Sequence, residues 1–224
     1  MRYVLIALLS LNAGYVDATG FLALHGLFPT HVTGNFVTLG AALALGASGI
    51  LAKVLALPLF CAVVLASRLA GGGLDRMGWP GLRIMFALEA ALLSVAAGLA
   101  LRLGPFPDGD APTALAVGGA MVSAMAIQNA VHRVRLAHLP PSTIMTGTTT
   151  QVMVDLADFL RPAAPEVRAA ARRRLGPMSA ALAFFALGCG AAAFAHVLDE
   201  KLSFLVPPIL ALATLIAGWR HKAP

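Results

Sequence analysis

The sequence predicts an all-α integral membrane protein with six transmembrane helices plus two short re-entrant helices, arranged as an inverted repeat. Three observations lead there. Hydrophobic residues make up 59% of the 224 positions, charged residues only 12%, and the mean hydropathy is +0.84; soluble domains carry about 25% charged residues. Apolar stretches recur from residue 3 to residue 219. Two of them are short, and each opens at Thr-Gly after a proline-containing approach: FPTHVTGNFVTLG at 28–40 and LPPSTIMTGTTTQVMVDL at 139–156.

Six stretches are long enough to cross a bilayer, which takes about 20 residues: 3–24, 54–73, 83–103, 113–131, 178–197 and 203–219. The first begins like a secretory signal. It lacks a small-x-small cleavage site and carries Asp17, so it is read as a retained span. The shorter stretches, 34–46 and 146–160, either cross as well or enter and leave on one side. Basic residues favour one side of a membrane, and their distribution decides between these readings. If both short elements re-enter, thirteen of the sixteen Lys and Arg residues share one side with Arg2, and only Lys53, Arg102 and Lys201 lie opposite. If both cross, the split is ten against six. The re-entrant arrangement is the expectation, with both termini cytoplasmic.

Residues 1–224 then form a single membrane domain with one repeat at about 3–103 and another at about 113–219. Each half has three crossings, an odd number, so the second half is inverted relative to the first. GYVDATGF (14–21) lies over AIQNAVHR (126–133), which pairs Asp17 with Asn129, and Pro58 and Pro177 open the following spans. Inverted repeats whose broken elements meet near mid-membrane are common in transporters.

Non-helical backbone at membrane depth survives only where protein or a wet cavity satisfies its polar groups. Pro29, and Pro140 with Pro141, favour an extended approach. Thr33 and Thr146 are expected to cap the helices that follow. Gly34 and Gly147 permit close approach of a solute or of a neighbouring helix, and Asn35 and Thr148 add a polar group to the first turn. Two helix starts facing a common centre attract an anion or a polar solute; the competing reading of Thr-Gly is ordinary tight helix packing. Asp17 inside a span, Gln128 and Asn129 at the matched place, and His31 at the approach complete the candidate pathway. Asp17 and Glu89 are the candidates for proton coupling.

GYVDATGFLAL, THVTGNFVTLG, AMAIQNAVHR and TIMTGTTTQ together resemble the YoaK-like family of small bacterial membrane proteins, a domain of unknown function. The resemblance covers essentially the whole chain. It implies about six spans and a location in the bacterial inner membrane, and it supplies no substrate.

The functional expectation is a transporter or channel for a small anionic or polar solute. A structural or regulatory membrane protein is the alternative, and an intramembrane enzyme a weaker one. Ser142, His138 and Asp155 are the nearest nucleophile–base candidates, yet neither G-x-S-x-G nor H-E-x-x-H occurs. No enzyme activity, cofactor or metal is expected: His25 and His31 have only Asp17 near as a third ligand. Cys61 and Cys189 read as packing residues. The net charge of +6 is read as membrane topology and lipid contact rather than nucleic-acid binding. The expected partners are the solute, the bilayer and, for a chain of this size, a second copy in a homodimer.

Overall fold

The computed structural model describes residues 2–162 and 164–219, and these form an all-helical bundle. In chain order the helices are α1 (Arg2–Ala23), α2 (Gly34–Leu45), α3 (Ile50–Arg76), α4 (Gly81–Leu103), α5 (Pro112–Arg135), α6 (Met145–Leu160), α7 (Pro165–Leu198) and α8 (Val206–Trp219), with a 3-10 turn at Glu200–Phe204 before α8. Six helical segments are long and apolar enough to cross a membrane. They are α1, α3, α4, α5, α7 and the unit of 3-10 turn plus α8. Helices α2 and α6, with 12 and 16 residues, lie outside these six segments.

Two helices begin earlier than the sequence suggests. Pro58 and Pro177 lie inside α3 and α7 and do not open them. The start of α3 is drawn forward by a distant acid: Asp110, in the loop before α5, accepts from the amides of Gly49, Ile50 and Ala52 at 3.0–3.1 Å. Those amides would otherwise lack partners at a helix start. Helix α7 has 34 residues, about 51 Å at 1.5 Å per residue. That exceeds a hydrocarbon core of about 30 Å, and the excess is the basic stretch 165–176.

The helices pair in a regular way. Helix α1 packs on α7, and α5 on α3; α1 also packs on α8, and α5 on α4. Helix α4 packs on α8, α2 lies along α3, and α6 lies along α7. The α1–α7 crossing is the closest, because it has backbone against backbone. A side chain on Gly14 would overlap the carbonyl of Phe185, and one on Gly188 the backbone of Leu11 and Tyr15. The thiol of Cys189 donates to the Gly14 carbonyl at 3.3 Å.

The bundle has two chemically distinct ends. At one, Arg135 donates to Asp75 at 2.8 Å and to the Gly71 carbonyl at 3.2 Å, Arg83 reaches the Trp219 carbonyl, and Arg2 and Arg174 share a cavity. At the other, Lys53 is 4% exposed and donates to the carbonyls of His25 and Gly49 at 2.6 and 3.0 Å. Nε2 of His25 donates to the Phe106 carbonyl at 2.7 Å, so its Nδ1 accepts from Ser48, 3.0 Å away. That contact ties the end of α1 to the end of α2. His25 has a φ of +53°, and the turn it makes with Gly26 sends the chain back along α1.

The glycine crossing yields the first prediction. Gly188→Ala should lower stability by about 1–3 kcal/mol, because a methyl is forced onto packed backbone. Gly190→Ala, whose added methyl meets nothing within 4 Å, should leave it unchanged. Thermal unfolding in detergent measures both.

Candidate functional site

The chain leaving α1 runs back antiparallel to it and is held there by side chains. The Asp17 carboxyl, 4% exposed, accepts through Oδ1 from the amides of Thr30 and His31 at 2.6 and 3.2 Å. The Thr30 hydroxyl donates to the Ala13 carbonyl at 3.3 Å. Gly20 makes room for this return, since a side chain there would collide with Pro29 and the Leu27 carbonyl. Asn35 then closes the loop on itself: Oδ1 accepts from the Phe28 amide at 2.8 Å and Nδ2 donates to the Phe28 carbonyl at 2.9 Å.

The second half solves the same problem with neutral groups. The hydroxyl of Thr143 donates to Oδ1 of Asn129 at 2.7 Å, and Nδ2 of Asn129 donates to the Met125 carbonyl at 2.9 Å. Gln128 is fully buried beside it and donates through Nε2 to the Leu9 carbonyl and to Oγ of Ser142 at 3.1 and 3.0 Å. Asp17 and Asn129 thus do equivalent work, each fastening the segment that follows its own helix.

Between these segments lies a cavity of about 350 Å³. Thr30, His31 and Thr33 line it from the first half, and Asn129, Thr143 and Thr146 from the second. Leu57 and Phe60 of α3, with Phe185 of α7, form apolar walls. Both Thr-Gly approaches therefore reach one cavity. No side chain that is charged at every physiological pH lines it, so the chemistry on offer is hydroxyl, amide and imidazole hydrogen bonding within an aromatic frame.

The two helix starts differ from the expectation and from each other. Neither Thr33 nor Thr146 caps its helix through its side chain. Thr33 already has helical backbone angles, and the amides of Gly34, Asn35 and Phe36 donate back to the carbonyls of His31, Val32 and Thr33 at 2.8–3.2 Å. Further back, the amides of Thr30 and His31 go to Asp17. Between them, the amides of Val32 and Thr33, two residues that line the cavity, have no acceptor among the described residues. Helix α6 begins one residue earlier than Thr146, at Met145, and its first backbone-bonded amide is that of Thr148, which donates to Ile144 at 3.2 Å. Among the described residues no acceptor faces the amides of Met145, Thr146 and Gly147. Met145 and Thr146 line the cavity, so this open donor set adjoins it.

The other candidates lie around the cavity. Gly34, Asn35, Gln128, Gly147 and Thr148 do not line it. A side chain on Gly34 would press on Phe28 at 3.1 Å, one on Gly147 would have room, and the Thr148 hydroxyl donates to the Ile144 carbonyl at 2.8 Å. Glu89 sits apart between α4 and α1, 1% exposed, with Oε1 accepting from Nδ2 of Asn12 at 3.4 Å. Among the described residues no group of three His, Cys, Asp or Glu side chains is placed to hold a metal ion. Thr30, Thr143, Phe60 and Phe185 were missed as site residues; for the two threonines the available signal was a hydroxyl just after a proline in both halves.

A family model described as protein of unknown function (DUF1275) matches residues 5–217. The chain belongs to that family. It is 33% identical over 165 residues to the UPF0700 transmembrane protein YoaK of Bacillus subtilis (strain 168), covering 71% of this chain and 69% of the relative. No solved structure matches it. The match of the DUF1275 model takes in α2, α6 and the cavity between them. This DUF1275 protein is a transmembrane protein with several apolar helices.

Asn35 supplies a prediction. Asn35→Leu removes both partners of Phe28, and each buried polar group left unpaired costs about 1–3 kcal/mol. The variant should melt at a clearly lower temperature than the wild type, as read by unfolding in detergent.

Proposed function

We propose that the chain is a transporter or channel of the bacterial inner membrane for a small anionic or polar solute, with both termini cytoplasmic and the solute bound between two re-entrant Thr-Gly helices. The observation that carries this reading is the cavity between the two helix starts, which the unbonded amides of Val32 and Thr33 adjoin from one side and those of Met145 and Thr146 from the other. Helix N-termini carry roughly half a positive charge and accept anions readily.

Further support comes from the pairing of the helices. Exchanging α1 with α5, α2 with α6, α3 with α7 and α4 with α8 turns the main packing pairs into one another. This is what an inverted repeat produces when each half has three crossings. Re-entry of α2 and α6 fits the contacts that join each to the end from which its chain came: His25 with Ser48 for α2, and the bond of Asp155 with Arg174, near the basic cavity, for α6.

Two experiments test the proposal. Chloride, nitrate, sulfate and acetate are screened by thermal shift on purified protein. At least one should raise the midpoint, and Asn129→Asp, which places a carboxyl group on the wall of the cavity, should abolish that rise when each protein is compared with its own midpoint without anion. No response to any anion rejects an anion site. For topology, Arg76→Cys should react with a membrane-impermeant maleimide only in inverted vesicles. Labelling of intact spheroplasts would remove the six-crossing arrangement.

A further inference from the structure

The end of the bundle where α1 begins and α5 finishes holds a second cavity, of about 290 Å³. Three arginines line it from elements far apart in sequence: Arg2 at the start of α1, Arg133 in the last turn of α5 and Arg174 in α7. His132 and His138 add two imidazoles, and no Asp or Glu lines it. The remaining wall is apolar and includes Pro141, Pro177 and Met178.

Only one of the three guanidinium groups has a carboxylate partner. Arg174 donates to Asp155 through Nε and Nη2, at 3.0 and 2.6 Å, and Asp155 is fully buried. Arg2 and Arg133 form no salt bridge among the described residues. Cations of one sign gathered on a concavity repel one another and raise the local potential, so the arrangement favours a counter-ion held in the cavity. The geometry selects among anions. A carboxylate is satisfied by one guanidinium fork, as Asp155 is by Arg174. Arg2 and Arg133, on separate helices and in no salt bridge among the described residues, suit an oxyanion with acceptors on several sides.

We propose that this cavity binds a phosphate group, borne either by the headgroup of an acidic phospholipid or by a free phosphorylated solute. Neither Arg2, Arg133 nor Arg174 lines the central cavity itself, although Arg133 also faces an intervening pocket that Asn129 and Thr143 share. The phosphate site stands whether or not the central cavity carries a transported anion.

The test uses full-length protein in a neutral detergent, titrated separately with phosphatidylglycerol and with sodium pyrophosphate while the thermal midpoint is followed. Diacylglycerol is the phosphate-free lipid control. At least one phosphate ligand should raise the midpoint where diacylglycerol does not. A response to the phospholipid alone assigns the phosphate to a headgroup, and a response to pyrophosphate alone assigns it to a soluble ligand. Arg133→Gln should weaken binding about tenfold, the loss expected for one charge-assisted contact. Arg172→Gln removes equal charge from the neighbouring exposed turn outside the cavity and should leave binding unchanged. The proposal is overturned if neither ligand shifts the midpoint, or if the two arginine variants lose binding equally.

Discussion

The carboxyl of Asp17 accepting from the amides of Thr30 and His31 is the contact on which the interior of this protein depends. A membrane offers no water to exposed peptide groups, so a chain that leaves a helix and turns back must carry its own partners. Asp17 provides them for the approach to α2, Asn35 pairs both polar groups of Phe28, and Gly20 removes the side chain that would keep Pro29 away. With these in place, Thr33 and His31 come to rest on one wall of the central cavity. The side of that cavity supplied by the first half is thus built from an acid one and a half turns before the end of α1.

The second half repeats the device with a different charge. Asn129 takes up the Thr143 hydroxyl, not a pair of backbone amides, and the α6 start keeps its donors. Asp17 and Asn129 thus fasten two approaches that line one cavity, with groups of different charge. The rigid part of the frame lies elsewhere: α1 and α7 touch through Gly14 and Gly188, and Asp110 with Lys53 locks the loops at the far end. The cavity is therefore suspended between a glycine crossing and a hydrogen-bonded cap, both formed by residues that never face it.

Local reasoning succeeded where a residue's effect is local. The six long apolar segments and the two helices outside them were readable because hydropathy and span length are properties of consecutive residues. It failed where the partner lies far along the chain. Thr33 was expected to cap α2, but the bonds to Asp17 had already set its backbone turning. Pro58 was expected to open α3, but Asp110 supplied acceptors eight residues earlier. Asn35 has the look of a solute ligand in the motif, and only the fold of 28–35 reveals that both its polar ends are taken by Phe28.

By itself the sequence determined that the chain is an all-helical membrane protein and a member of its family, because composition, periodic hydropathy and motif spacing need no knowledge of contacts. Tertiary structure decided which polar groups stay unpaired. Every residue of the two Thr-Gly motifs can donate or accept in principle. Whether it faces a cavity or a neighbouring backbone depends on how α1, α3, α5 and α7 bring segments more than a hundred residues apart to within hydrogen-bond distance. The open amides of α6, the Asp17-bonded amides of Thr30 and His31 and the meeting of Arg2, Arg133 and Arg174 all arise there. The physical reason is that hydrogen bonds and charge pairs act over a few ångströms of space, and only the packed bundle sets those distances.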